Sequence, residues 1–121
     1  MSDIKEEAIL NYTGAEGRAR RNCARAVSDA CSANYPLDSA ELARLNSCGG
    51  GRAPRGVCGA LYTAELIASK YHAESAGSIG ARFETLSGSV FCHQIRSTGR
   101  IPCAQCVGNA GSIIDQLKNG G

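Results

Sequence analysis

The sequence predicts an all-α fold for three reasons. Apolar residues recur three and four positions apart along most of the chain, which is the spacing of one helix face. Capping residues, glycines and prolines separate these stretches, and no two segments alternate as a pair of β-strands would. The chain has 121 residues, of which 43% are hydrophobic. We therefore expect a single compact domain, residues 1–121, in which five to six short helices surround a cysteine-rich site.

The first two predicted helices lie in the N-terminal part of the chain. Residues 3–11 form a short helix, and Arg18 to Asn34 form a longer one whose narrow apolar face includes Cys23 and Cys31. Free cysteine is among the most buried residue types. Cys31, in the middle of this helix, is therefore expected to act as a small core residue.

The third helix has the clearest start. Asp38 is placed to cap its N-terminus and Glu41 is the matching capping-box residue, so the helix begins there and runs to about Asn46. Glycines and a proline then crowd residues 47–56, which cannot sustain regular structure. A tight loop is expected, with Cys48 near its start.

The remaining predicted helices carry the other cysteines. One covers residues 57–71 with Cys58 in its first turn, and another covers residues 74–90 with Cys92 at its end. The last occupies residues 103–117 and follows a proline, which is a residue suited to helix starts.

Composition and charge exclude several classes of protein. The formal net charge of +2 is too small for a dedicated nucleic-acid surface. No segment approaches the roughly 18 apolar residues of a membrane span, so no membrane insertion is expected. The polar start, Met1–Leu10, has no export-signal pattern, which predicts a cytoplasmic location. The motifs of the common hydrolases are missing as well.

Seven cysteines are many for a chain of this length. Because the cytoplasm keeps ordinary thiols reduced, they indicate metal binding or redox chemistry rather than a disulfide framework. Cys103 and Cys106 form a CxxC at a helix start, where free backbone N–H groups and the helix dipole stabilise thiolates. A zinc site built on this pair would usually show a second such pair, which the chain lacks.

Two further positions could join such a site. Cys58 follows a glycine loop and two arginines, Arg52 and Arg55, either of which would favour its thiolate. His93 lies beside Cys92 and could ligate a metal or carry a proton. A single histidine at a helix end is, however, more often structural than functional.

Five short segments present cysteines and glycines in a recognisable order. They are Asn22–Val27, Gly49–Arg52, Val57–Ala60, Phe91–Gln94 and Cys103–Val107. Together they resemble a family of redox-active bacterial and archaeal proteins that is named for its C_GCAxxG_C_C pattern. The resemblance covers most of the chain, although Thr63 stands where the central motif of the family ends in glycine.

The resemblance divides the cysteines into two sets. The family positions are Cys23, Cys58, Cys92 and Cys103, and the additions of this chain are Cys31, Cys48 and Cys106. Four thiolates are the usual complement of an iron–sulfur cluster, so the family set is the implied ligand set, with Cys106 or Cys48 as alternate ligands. A similar domain occurs in split-Soret cytochromes, which carry haem. Val107 rather than histidine follows Cys106, so the usual haem-attachment motif is missing.

Three functions remain open at this point. The first is an iron–sulfur protein for electron transfer. The second is a metal-free thiol–disulfide oxidoreductase, in which Cys103 and Cys106 form one exchanging pair and Cys58 attacks or is attacked. The third is a structural zinc domain or helical adaptor. The sequence leaves open the redox partner protein, the oligomeric state (a homodimer included) and whether the protein is an enzyme.

Overall fold

Seven α-helices and three short 3-10 helices make up the computed structural model, which describes residues 3–49 and 52–119. The α-helices are α1 Ile4–Thr13, α2 Cys23–Cys31, α3 Ser39–Leu45, α4 Gly59–Tyr71, α5 Ile79–Ser87, α6 Cys92–Thr98 and α7 Cys103–Lys118. The 3-10 helices are Ala15–Gly17, Pro54–Gly56 and Ala73–Ser78. No β-strand occurs within these ranges, which confirms the predicted all-α class. Gly50 and Gly51, in the middle of the predicted glycine loop, lie outside the described residues.

The prediction of five to six helices is wrong because α6 has no helical pattern in the sequence. Ile95 is the one buried residue of this helix, so no apolar stripe marks it. Cys92 is accordingly the first residue of α6, and not the end of the helix before it.

Helix α2 is shorter than the predicted span of residues 18–34. Asn22 caps it by accepting a hydrogen bond from the Arg25 N–H at 2.8 Å, so the helix starts at Cys23. Upstream of the cap, the Arg18 guanidinium is held by α1 through the Glu7 carboxylate at 2.6 Å. The segment before Cys23 is therefore held against α1 and is not part of α2.

The predicted helix over residues 74–90 is divided into two parts. Its first part is the 3-10 helix Ala73–Ser78, none of whose residues is buried. Its second part is α5, which ends at Gly88 in the left-handed conformation, with φ of +87°. The first part has no buried apolar face that would hold a regular α-helix in place.

The core lies mainly between α4 and α7. Their buried apolar residues include Ala60, Leu61, Ala64, Ile67, Val107, Ala110, Ile113 and Ile114. Alanine and glycine on these helices let neighbouring backbones approach closely. Phe83 from α5 and Val27 from α2 are fully buried against the same core.

Helix α1 is anchored on α7 by a close backbone contact and a cap. A Cβ atom on Gly111 would lie 2.8 Å from the Lys5 Cα, so only glycine permits this approach. The Asp115 carboxylate accepts hydrogen bonds from the backbone N–H groups of Ile4 and Lys5 at 3.2 and 3.1 Å. These contacts fix the position of α1 and of Tyr12 near its end.

Thr63, at the position where the family pattern has glycine, joins α2 to α4. The residue is fully buried, and its hydroxyl lies 3.1 Å from the carbonyl oxygens of both Ala24 and Gly59. The polar group is thereby satisfied at the helix contact, so the two helices pack closely despite the larger side chain. Among the described helices, none has the length and apolar character needed to cross a bilayer.

Candidate cysteine centre

Five cysteine side chains line one partly enclosed cavity of about 240 Å³. They come from four parts of the chain and are Cys23, Cys58, Cys92, Cys103 and Cys106. The other residues that line the cavity are Tyr12, Asn22, Gly49, Ile95 and Arg96. The four cysteines that the resemblance singles out are therefore brought together, and Cys106 joins them.

The four family cysteines all lie at helix starts. Cys23, Cys92 and Cys103 are the first residues of α2, α6 and α7, and Cys58 is the N-cap residue of α4. The first backbone N–H groups of a helix have no partner within it, and the helix dipole makes that end positive. The starts of the three longer helices, α2, α4 and α7, thus bring hydrogen-bond donors and positive potential to one cavity, and both favour thiolates.

Two connecting segments pair with each other and place Cys58 near Cys92. Val57 and Phe91 form an isolated antiparallel β-bridge. The Cys58 N–H donates a hydrogen bond to the Val90 carbonyl at 2.9 Å. Because each segment leads directly into a helix, this pairing joins the starts of α4 and α6.

Asn22 fixes the start of α2 relative to the end of α3. Besides capping α2, its side-chain amide donates hydrogen bonds to the carbonyl oxygens of Leu45 and Asn46, at 3.1 and 3.0 Å. One side chain thus holds Cys23 and the segment that contains Gly49 on the same wall of the cavity.

The Cys23 thiol is strongly acidified. A hydrogen bond from Cys58 lowers the pKa of Cys23 to about 6, although burial acts in the opposite direction. The backbone N–H groups of Ala60, Gly59 and Ala24, at the starts of α4 and α2, contribute to the same lowering of the pKa. Cys23 is therefore a thiolate at neutral pH.

Cys58 is the protonated partner of this thiolate. Its hydrogen bond with Cys23, together with burial, raises the pKa of Cys58 well above the range of an ordinary thiol. Cys58 therefore keeps its proton and donates it in a hydrogen bond to the Cys23 sulfur. The two residues form a thiolate–thiol pair that carries one negative charge.

Gly59 is required for this pair to form. A Cβ atom on Gly59 would lie 2.7 Å from the Cys23 Sγ and 2.5 Å from the Cys48 carbonyl oxygen. Real Cβ atoms essentially never show such distances. The missing side chain lets the Cys23 sulfur reach the backbone N–H groups at the start of α4.

The remaining cavity cysteines differ in their surroundings. Burial raises the pKa of Cys92, and the neighbouring Arg96 opposes this rise. Burial also raises the pKa of Cys106, to about 11, with a contact to Ser87 acting against it. Cys103 is hydrogen-bonded to the phenol of Tyr12, whose pKa is raised by burial and then by Cys103.

Two cysteines and His93 lie outside the cavity lining. The Cys48 thiol donates to the Arg44 carbonyl at 3.3 Å, and burial raises its pKa. Cys31 is fully buried in the core, as expected, and burial raises its pKa to about 12. His93 is an exposed residue of α6.

Sequence reasoning missed Ile95 and three polar residues of the cavity wall. Asn22 had a signal, because asparagine before a helical segment is a preferred N-cap residue and predicts a helix start at Cys23. No sequence pattern indicated that Tyr12 or Arg96 would lie in the cavity wall. Tyr12 reaches the cavity only through the packing of α1, and Arg96 only through the unpredicted helix α6.

The donor set of the cavity suits a thiophilic metal group. Five of its lining residues are cysteines, and no carboxylate is among them. Soft thiolate ligands select iron–sulfur clusters, zinc and copper(I). Across residues 3–49 and 52–119, no three His, Cys, Asp or Glu side chains are arranged to hold a single metal ion.

Comparisons with known proteins agree with the cysteine pattern. A family profile described as "Putative redox-active protein (C_GCAxxG_C_C)" matches residues 21–117, which contain all five cavity cysteines but not Tyr12. Searches of curated proteins and of solved structures gave no match. Because the profile match covers well over half of the chain, the protein belongs to the C_GCAxxG_C_C family of redox-active proteins.

Proposed function

We propose that the protein is an electron-transfer protein whose cysteine cavity holds an iron–sulfur cluster. The ligands would be Cys23, Cys58, Cys92 and Cys103. The observation that carries this proposal is the convergence of these thiols, from four separate helix starts, on one cavity. A cluster bound there would supply one-electron transfer.

The size of the cavity supports a polynuclear group over a single zinc ion. A volume of about 240 Å³ is several times the roughly 30 Å³ that one water molecule occupies in the liquid. A single ion would leave most of this space empty.

Cys106 is a better alternate ligand than Cys48. Cys106 lines the cavity beside the four proposed ligands. The Cys48 thiol is engaged by the Arg44 carbonyl and lies outside the lining. We therefore expect Cys106 to substitute when one of the four proposed ligands is removed.

The surrounding residues would set the charge and protonation of the centre. Cys23 needs no deprotonation, whereas Cys58 and Cys92 have raised pKa values and must release protons on ligation. The positive helix ends and Arg96 favour the more negative, reduced state of any group held here, which raises its reduction potential.

Metal and sulfide analysis tests the proposal. Protein purified without oxygen is expected to be brown and to contain iron and acid-labile sulfide near stoichiometric amounts. Replacement of both Cys23 and Cys58 by serine is expected to lower both contents sharply, because Cys106 can substitute for only one of them. Cys31→Ala removes a cysteine that lies outside the cavity and serves as the matched control, with iron and sulfide unchanged.

A colourless protein would contradict the cluster proposal if it bound no iron even after anaerobic reconstitution. An iron loss in the Cys31→Ala control equal to that in the serine variant would also contradict the proposal. The loss would then reflect general destabilisation and not a missing ligand. One equivalent of zinc, with no redox response, would favour a structural zinc domain.

The thiolate–thiol pair supports a second candidate function, metal-free thiol–disulfide exchange. The Cys23 thiolate would attack a substrate disulfide and expel one substrate thiol, forming a mixed disulfide. Cys58, losing its proton to solvent, would then attack the Cys23 sulfur and release the second thiol. The substrate is reduced by two electrons, and the protein keeps a Cys23–Cys58 disulfide. The lowered pKa of Cys23 thus favours this residue as the attacking thiolate, in place of the CxxC pair expected from the sequence.

Mass spectrometry distinguishes this second function. Metal-free protein treated with a small disulfide should lose two hydrogens, and peptide mapping should place the new bond between Cys23 and Cys58. A bond between Cys103 and Cys106 alone, or free thiols throughout, would reject the assigned pair.

A further inference from the structure

The charges of the chain are strongly segregated along the sequence. Residues 17–28, 42–64 and 85–114 contain nine of the 13 basic residues and none of the 11 acidic ones. The small net charge of +2 therefore hides a large difference between parts of the chain. Such an asymmetry steers charged partners toward one surface.

These three stretches are the ones that build the cysteine cavity. The first contains Cys23, the second contains Gly49 and Cys58, and the third contains Cys92 and Cys103. Except for Tyr12, every residue of the cavity wall comes from a stretch without acidic residues. The segregation along the chain thus becomes a positive surface around the cavity.

Three exposed arginines lie at the cavity or next to residues of its wall. Arg96 lines the cavity, and Arg20 acts electrostatically on the phenol of Tyr12. Arg52 donates its backbone N–H to the carbonyl of Gly49, another wall residue. We call Arg20, Arg52 and Arg96 the rim arginines.

The rim arginines lack acidic partners, unlike most arginines in the same stretches. Arg18 pairs with Glu7, and Arg21 and Arg25 both pair with Asp29. No ion pair of a rim arginine occurs within the described part of the chain. Their charges are therefore available to a molecule that approaches the cavity.

An exposed aromatic side chain lies beside this surface, in a neighbouring depression that Arg55, Leu61 and Val90 also line. Phe91, directly before Cys92, is 41% exposed. Aromatic residues and arginines are the types enriched in protein interfaces, whereas lysine is depleted. Exposed arginines beside an exposed aromatic residue are better suited to binding a protein surface than to binding a small free anion.

We propose that the cavity face docks an acidic electron-carrier protein, held mainly by the rim arginines, with Phe91 at the edge of the contact. This inference rests on the proposed electron-transfer function, because the partner would exchange electrons with the cysteine centre. Complementary charges would bring the acidic surface of the partner over the cavity and accelerate association. The interaction would weaken as salt screens the exposed charges.

Titration with a known acidic redox protein tests this proposal without requiring electron transfer. The probe is a plant-type [2Fe–2S] ferredoxin, added to the ¹⁵N-labelled protein at low ionic strength, and the readout is the NMR amide spectrum. Shifts or broadening are expected near Arg20, Arg96 and Phe91, and they should disappear at high salt. Basic cytochrome c is the charge-reversed control and is expected to leave this face unaffected.

A pair of matched variants completes the test. Arg20→Gln combined with Arg96→Gln should weaken ferredoxin binding about 3- to 10-fold, as expected for two exposed charge pairs. Lys5→Gln combined with Lys118→Gln removes the same charge from other helices and should change binding much less. Equal weakening by both pairs, or no ferredoxin binding at low salt, would overturn the docking proposal. A protein without redox response would instead reject the proposed function, and the binding result would still stand.

Discussion

Gly59→Ala is expected to lower the free energy of unfolding by about 2–4 kcal/mol and to disrupt the Cys23–Cys58 pair. The added methyl group would meet the Cys23 Sγ at 2.7 Å and the backbone carbonyl of Cys48 at 2.5 Å. The backbone cannot move aside as a flexible side chain would, so the start of α4 must shift away from Cys23. Urea unfolding measures the first effect, and the pH dependence of Cys23 alkylation measures the second.

Gly77→Ala is the matched control for this substitution. A Cβ atom on Gly77 would meet nothing within 4 Å, and the residue is exposed. The same change there should be neutral or slightly stabilising, because alanine restricts the unfolded chain. The result that would contradict this account is a Gly59→Ala variant with the same free energy of unfolding as Gly77→Ala and with a Cys23 that remains acidic. The close contact between α2 and α4 would then not be what stabilises the thiolate.

Cys23 is expected to react first with iodoacetamide in the reduced, metal-free protein, with a midpoint near pH 6. At that pH about half of Cys23 is ionised, against roughly one-thousandth of an ordinary thiol with a pKa near 9. A thiolate of low pKa is intrinsically less nucleophilic, by about twentyfold over three pKa units. The gain in ionisation outweighs this loss, so Cys23 should be labelled on the order of tenfold faster than the other cysteines.

Two variants of Cys58 show whether its hydrogen bond causes this acidity. Cys58→Ala removes the donor and should move the Cys23 midpoint toward the ordinary value. Cys58→Ser keeps a donor of shorter reach, so its midpoint should lie between those of the wild type and Cys58→Ala. Peptide mapping identifies the labelled residue, and far-UV circular dichroism checks that the helices remain. Preferential labelling of another cysteine at pH 6 would contradict the assignment of the thiolate.

The predicted helices were those with a regular apolar stripe or a clear cap. The capping box of Asp38 and Glu41 is present, and α4 and α7 lie within one or two residues of their expected ends. Helix α6 could not be found in this way, because Ile95 alone faces the core. The start of α2 could have been predicted from Asn22 as an N-cap, but the prediction placed the helix start at Arg18 and did not use this residue.

The cysteine centre could be predicted only in part. The resemblance grouped Cys23, Cys58, Cys92 and Cys103, and the structure places them around one cavity. Their common position at helix starts was foreseen for Cys58 and Cys103 alone. The acidity of Cys23 depends on contacts across the fold, with Cys58 and with the start of α4, and no local pattern indicates such contacts. The position of Tyr12 in the cavity wall also depends on contacts across the fold, because Gly111 and Asp115 of α7 fix the position of α1.

A redox titration of the anaerobically purified protein tests the central claim most directly, namely that the cavity cysteines form the redox centre. The wild type is expected to show one reversible redox transition. Visible absorption monitors this transition if a cluster is bound, and thiol labelling monitors it if no cluster is bound. Cys58→Ser should abolish or shift this transition, and Cys31→Ala should leave it unchanged. A wild-type protein with no reversible transition in either form, or a transition equally altered by Cys31→Ala, would contradict the claim.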